Sequence, residues 1–221
     1  MKSKNKKRNL FQKIFDFRYF LYDFVKITAA IPTLIYLRFK VYYINGKKPK
    51  GIYKGPYIIA SNHQTYVDVI ALLAVFWKRR VSFIATKDLF NTKLKRFFFS
   101  SVRMIPIDKQ NIKMQTFKIA KDVIDSGHLV SIFPEGHVTN SDEVKNYKSG
   151  VVMLSLMTKA PVLQVYVQKR KKWWHRQKVV IGEKIYLEQY FENSIPTMDD
   201  ISKVTEILRK NEEKLSDFFR E

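Results

Sequence analysis

Short apolar runs alternate with amphipathic stretches along most of the chain. Tyr57 to Ala60, Val81 to Ala85, Met104 to Ile107, Leu129 to Phe133, Pro161 to Val167 and Val179 to Leu187 read as strands. Phe39 to Ile44 reads as an edge strand closed by an Asn45-Gly46 turn, and Lys47 to Pro56 as a basic, Pro- and Gly-bearing loop. Tyr66 to Trp77 is nearly all apolar, the signature of a buried helix, with Thr65 placed to cap it. Asn111 to Asp125 repeats Met114, Phe117, Ala120 and Ile124 at helical spacing, and Gly127 follows as a C-cap. Val151 to Lys159 predicts an apolar helix. Asp199 to Phe219 predicts an amphipathic one, with Ile201, Val204, Leu208, Leu215 and Phe218 near one stripe. Alternating strands and helices predict an α/β fold: a mixed, largely parallel central sheet flanked by helices. In such sheets ligands collect at the carboxyl ends of the strands.

The first forty-odd residues follow a different pattern. Leu10 to Tyr43 mixes Phe, Tyr, Leu and Ile with Lys and Arg, and its longest uncharged run is Ile27 to Leu37. That run is too short for the ~20 residues a spanning helix needs. Basic and aromatic residues at helical spacing read as an in-plane membrane segment, the alternative being an amphipathic helix packed on the domain. Pro32 is expected to kink or break the stretch into two helices. Met1 to Lys13 is basic but leads to no small-residue cleavage site, so no cleavable signal peptide is expected. Lys93 to Phe99 sets three consecutive phenylalanines among cations, as a second membrane contact or the wall of an apolar groove. The expected division is a basic membrane-association segment over 1–45 and an α/β domain over 46–221.

Composition narrows the partners. The 221 residues are 46% hydrophobic and 14% aromatic, enough for a sizeable core. Lys and Arg number 41 against 20 Asp and Glu, a formal net charge of +21, which calls for an anionic partner. Nucleic acid, anionic headgroups and phosphorylated substrates all qualify. With no cysteine there is no disulfide framework, thiolate metal site or cysteine nucleophile.

Ser61-Asn62-His63-Gln64-Thr65-Tyr66-Val67-Asp68 is the stretch with chemistry in it. On a regular helix a five-residue step turns roughly 140° and rises about 7.5 Å, which keeps two side chains apart. His63 and Asp68 meet if the histidine lies in the turn before the helix and the aspartate in its first turns. Asp68 then fixes the imidazole tautomer and the other nitrogen becomes a base. The same pair also fits an ordinary satisfied surface or core contact. No two glycines stand two apart, so a G-x-G-x-x-G loop is absent, as are G-x-x-x-x-G-K-[ST], G-x-S-x-G and H-E-x-x-H. No metal site is expected. A base without a protein nucleophile of its own suits activation of a hydroxyl carried by a substrate.

Four ordered blocks carry a resemblance. Asn62-His63-x-x-x-x-Asp68, Ile105-Pro106-Ile107-Asp108-Lys109, Phe133-Pro134-Glu135-Gly136 and the proline-bearing run Ala160 to Val165 resemble the hallmarks of the glycerolphosphate and lysophosphatidic acid acyltransferase superfamily. Lys87-Asp88-Leu89-Phe90 resembles its K-x-E-L-F, and Tyr147-Lys148-Ser149-Gly150 its F-K-x-G. The resemblance spans roughly Lys50 to Leu187. Three positions depart from it. Lys109 replaces an arginine, Arg103 stands where a glycine is usual, and Val138 replaces the arginine after the third block.

The resemblance implies direct acyl transfer from acyl-CoA or acyl carrier protein, as co-substrate rather than cofactor, to the hydroxyl of a lysophospholipid. His63 would act as base and Asp68 would orient it. Backbone N–H groups at the helix start, with Lys87, would face the oxyanion. Asn62, Arg103, Lys109, Glu135, Gly136 and Lys148 would line the substrate side, though Glu135 fits local backbone orientation equally well. Lys109 keeps a charge but not the bidentate fork of an arginine, and Arg103 is a candidate to compensate. The implied product is phosphatidic acid. The implied place is the cytoplasmic face of the cell membrane, peripheral or monotopic, on anionic lipids. Another lysolipid or glycolipid acceptor is the alternative that Val138 suggests. A nucleic-acid-binding protein has only the net charge in its favour, with no recognised motif beside it.

Overall fold

The computed structural model describes residues 20–49, 51–65, 67–108, 114–138, 144, 146–170, 172, 174–191 and 196–219. Seven strands share one sheet: β1 (Lys40–Tyr43), β2 (Ile58–Ser61), β3 (Val81–Thr86), β4 (Ile105–Ile107), β5 (Leu129–Ile132), β6 (Val162–Val167) and β7 (Lys178–Ile185). Their order across the sheet is β1-β7-β6-β2-β5-β3-β4. The block from β6 to β4 is parallel throughout, and β7 turns antiparallel against β6 with β1 parallel to β7. The expected α/β sheet is therefore present, with its two reversed strands at one edge.

Six helices accompany it among the described residues: α1 (Phe20–Leu37), α2 (Val67–Val75), α3 (Lys93–Ser101), α4 (Met114–Asp125), α5 (Gly150–Thr158) and α6 (Met198–Asp217). Strand alternation sends Ile58 and Ala60 to one face of the sheet and Tyr57 and Ile59 to the other. The first face packs on Phe117, Val151, Leu154 and Leu208 of α4, α5 and α6. The second packs on Ala71 and Leu72 of α2, with Phe76 just beyond it. Helix ends follow their expected chemistry. Gly127, at φ +81°, closes α4 with His128 N–H on Val123 O and its own N–H on Ile124 O. Thr197 and Asp200 form a capping box on α6.

Two N-terminal expectations are corrected. α1 runs through Pro32 without a break. Pro32 and Thr28, four residues before it, both lie on the exposed side of the helix, where the backbone bond that proline cannot make is least costly. The division at residue 45 also fails, because β1 is an edge strand of the same sheet, in register with β7 from Lys40 opposite Lys178. α1 itself is anchored. Tyr22 Oη donates to Val81 O at 3.0 Å and accepts from Val81 N–H at 2.8 Å, and Asp23 pairs with Arg80 at 2.7 Å. Burial is the main reason the Tyr22 hydroxyl titrates well above its ordinary range. The opposite side of α1 exposes Phe20, Phe24, Ile27 and Ile35. Among the described residues no helix is long and apolar enough to cross a membrane.

Candidate active site

β5 lies between β2 and β3, so the loops leaving β2 and β5 emerge side by side at the carboxyl ends of the parallel strands. His63 sits in the first loop and Phe133-Pro134-Glu135-Gly136 in the second.

Asp68, in the first turn of α2 and buried, organises the first loop. Its Oδ2 accepts from the N–H groups of Gln64 and Thr65, each at 2.7 Å, and lies 3.2 Å from His63 Nδ1. Its Oδ1 accepts from Thr65 Oγ1 at 2.9 Å. Thr65 thus meets Asp68, three residues on, through both its N–H and its hydroxyl. Because the carboxylate only accepts, Nδ1 is the N–H of the imidazole and Nε2 carries the basic lone pair. The N–H groups of Gln64 and Thr65 are thereby taken up by Asp68 and do not face an oxyanion.

His63 borders a cavity of about 490 Å³. Its walls are mostly apolar: Val69, Phe83, Leu89, Met104, Ile107, Met114, Phe117 and Met153. Gly136, His137, Val138, Lys148 and Ser149 supply the more polar side. Gly136 has φ +74°, which favours glycine, and a Cβ there would stand 3.1 Å from Lys148 Cε and Nζ and press the end of that side chain aside. Lys148 N–H donates to Pro134 O at 2.9 Å, joining the two segments. Among the described lining residues Lys148 is the one Lys or Arg, and Val138 faces the cavity where the resemblance would put an arginine.

Other expected site residues lie elsewhere. Asn62 is 2% exposed and its amide is committed: Nδ2 donates to Val167 O at 2.9 Å and Oδ1 accepts from Val167 N–H at 2.7 Å. It ties the His63 loop to the end of β6 instead of touching a substrate. Lys87 reaches Asp108 at 2.6 Å, and that bond raises its pKa; Thr86 and Leu89 on either side line the cavity, but Lys87 does not. Arg103 has φ +57° directly after α3, with its N–H on Ser100 O and Met104 N–H on Phe99 O. The usual glycine at this position thus answers a left-handed helix end, not a need for space around a ligand. Lys109 lies outside the described residues. Among those residues, no group of His, Asp or Glu is arranged to hold a metal ion.

Glu135 is also interior, 2% exposed, on the side of α6. There it meets Glu212, which is fully buried, accepts from Tyr147 Oη and has no hydrogen-bond partner for Oε1 among the described residues. Burial first, and the charge of Glu135 second, push the Glu212 carboxyl well above the usual range. Of the two roles open to Glu135, this placement favours holding the loop from within. Glu212 left one mark in the sequence, an acid on the apolar stripe between Leu208 and Leu215. Phe133, whose ring stacks on His63 at 4.0 Å, was marked only as the first residue of the Phe133-Pro134-Glu135-Gly136 block, with nothing to say that it meets the histidine.

The comparisons with known proteins agree with this geometry. The model of the acyltransferase family matches residues 40–168, more than half of the chain. A 1-acyl-sn-glycerol-3-phosphate acyltransferase of Bacillus subtilis is 27% identical over 164 residues, 72% of this chain and 80% of that one. A probable 1-acyl-sn-glycerol-3-phosphate acyltransferase of Mycoplasma pneumoniae is 22% identical over 151 residues, 65% of this chain and 55% of that one. The crystal structure of the 1-acyl-sn-glycerophosphate acyltransferase PlsC from Thermotoga maritima superposes with a TM-score of 0.63 at 17% identity. It covers 93% of this chain and 86% of that one, a likeness of fold. The match runs from the first strand to the residue after β6 and takes in both loops at the strand ends: the chain belongs to the acyltransferase family and is an O-acyltransferase.

Proposed function

We propose that this chain is a 1-acyl-sn-glycerol-3-phosphate O-acyltransferase, carrying a fatty acyl group from an acyl thioester to the free hydroxyl of lysophosphatidic acid to give phosphatidic acid. The observation that carries the reading is a histidine, held by a buried carboxylate, at the edge of an apolar cavity of about 490 Å³. The names of the Bacillus and Mycoplasma relatives support the acceptor.

In this reading Nε2 of His63 takes the hydroxyl proton as the acceptor oxygen attacks the thioester carbonyl. The tetrahedral intermediate collapses, the C–S bond breaks, and the imidazolium returns the proton to the leaving thiolate. No acyl-enzyme and no cofactor are required. Apolar walls take the acyl chain, and Lys148 holds the acceptor phosphate.

The same reading places the protein peripherally on the cytoplasmic face of the cell membrane. α1 leaves Phe20, Phe24 and Ile27 exposed, and α3, with no buried residue, exposes Leu94 and Phe97 among Lys93, Lys95 and Arg96. Apolar side chains ringed by cations suit an anionic bilayer surface. Val138 on the cavity wall favours a second reading, an acceptor whose headgroup asks for less positive charge. Purified protein offered a panel of lysolipids and glycolipids with acyl-CoA, followed by product mass spectrometry, decides between them. No transfer to lysophosphatidic acid overturns the first reading.

A further inference from the structure

Both reactants in the proposed reaction are amphiphiles that carry phosphate. The acceptor bears a phosphate monoester, and thioester donors bear the phosphate of a phosphopantetheine arm. One cationic side chain, Lys148, stands in the described wall of the apolar cavity. A second basic site is needed near His63, away from the first.

The β6–β7 connection supplies one. A separate pocket of about 240 Å³ is lined by Gln168, Lys169, Arg170, Lys172 and Gln177 of this connection, with Thr65 and Val67 from the start of α2. It adjoins the His63 loop through bonds already described: the Asn62 amide grips both backbone groups of Val167, and the basic run begins two residues later. The pocket is braced from within. Gln177 is 3% exposed, its Nε2 donates to Gln168 O at 2.5 Å, its N–H to Leu37 O at 2.8 Å, and Gln168 N–H to Lys178 O at 3.0 Å. The guanidinium of Arg170 rests over the Tyr36 ring at 4.8 Å, which holds its stem at the pocket. A concave, braced cluster of three cations next to the catalytic loop fits a phosphate ester better than a flat charged surface would.

We propose that this pocket is the phosphate subsite of the acyl donor, and that it binds the phosphate of the phosphopantetheine arm so that the thioester lies at His63. The acyl chain then runs into the apolar cavity, and the arm toward Lys169 and Lys172. The proposal rests on the reading that a thioester is the donor, and its test is separable from the acceptor's identity.

The test combines binding without turnover and two-substrate kinetics, on the full chain and on a Lys169→Ala/Lys172→Ala variant. Both lysines are exposed, so the fold is expected to survive the change. Calorimetric titration with CoA and with 4′-phosphopantetheine is expected to show at least tenfold weaker binding in the variant, with pantetheine equally weak in both proteins. KM for acyl-CoA should rise by a similar factor while KM for the acceptor stays put. Unchanged CoA and phosphopantetheine affinity in the variant overturns the proposal, as does a rise confined to the acceptor's KM. Loss of binding to phosphatidylglycerol vesicles with donor affinity intact also overturns it, and assigns the cations to lipid headgroups. Failure of wild-type protein to acylate lysophosphatidic acid overturns the acceptor assignment alone, because donor binding is measured without it.

Discussion

The imidazole of His63 lies flat against the ring of Phe133, 4.0 Å between centroids and 17° from parallel. Phe83 continues the stack, 6.3 Å from Phe133 and 16° from parallel. Asp68 sets which nitrogen is basic, and the stack sets the plane in which that nitrogen points. Phe133→Leu keeps the volume apolar but removes the flat support. It is expected to lower kcat on the order of tenfold to a hundredfold through misorientation, with little change in acceptor KM. His63→Ala gives the floor, a loss of about 10²- to 10⁴-fold with thermal stability nearly unchanged. Steady-state kinetics beside circular dichroism melts check both. A Phe133→Leu enzyme with full kcat would show that Asp68 orients the ring alone.

Arg103 pays for a backbone conformation that glycine adopts freely. At φ +57° it follows α3 in the position where a left-handed residue closes the helix. Arg103→Gly is therefore expected to raise stability by about 0.5–1 kcal/mol, the left-handed strain relieved less the extra freedom of the unfolded chain. Urea denaturation measures it. Acceptor KM should not move, since the Arg103 side chain is not part of the cavity wall. A large rise in KM would return Arg103 to the phosphate.

The pH dependence of stability should carry the mark of Glu212. Its folded pKa is raised above the ordinary 4.5, first by burial and then by Glu135. Below the ordinary value both folded and unfolded chains hold the proton, and the buried acid costs nothing. As pH rises past it, the unfolded chain ionises first and stability falls until the folded carboxyl titrates too. Glu212→Gln keeps an acceptor for Tyr147 and removes the titration. The variant should melt higher than the parent at pH 7, with the gap closing toward pH 4. A gap that does not depend on pH would mean that Glu212 ionises in the folded protein at no cost.

Phe97 tests the membrane face of α3. It is 67% exposed and follows Lys95 and Arg96, so no internal packing accounts for it. Burying such a side chain in a bilayer is worth roughly 1.5–3 kcal/mol. Phe97→Asp is expected to weaken partition onto phosphatidylglycerol vesicles by at least about tenfold, read by sedimentation, while the melting temperature in solution is unchanged. Undiminished binding would leave α1 to carry the docking.

Much of this fold was legible along the chain because strands and helices bury their own periodic faces. β2, β3, β5 and β6 fall within a residue or two of their apolar runs, and α4 ends where Gly127 said it would. The spacing of His63 and Asp68 likewise implied a turn before a helix, and the 3.2 Å contact is found there. Pro32 misled because its rule concerns a hydrogen bond, and on an exposed helix side the loss of that bond costs least. Asn62, Lys87 and Arg103 stand in or beside the blocks that carry the resemblance, yet each answers a local structural demand: a clamp on Val167, a partner for Asp108, a left-handed helix end.

The residue pattern by itself determined the α/β class, most element boundaries and the histidine–carboxylate pair, because each depends on neighbours a few positions away. Only the tertiary structure decided which side chains share the site. Chain order does not say that β5 inserts between β2 and β3, and that insertion brings Phe133 onto His63 and Lys148 to the cavity. Nor does it say that a glutamate on the last helix ends beneath the Glu135 loop. His63 and Phe133 stand 70 residues apart in the chain and Glu135 and Glu212 stand 77 apart, and it is packing across the sheet that selects them.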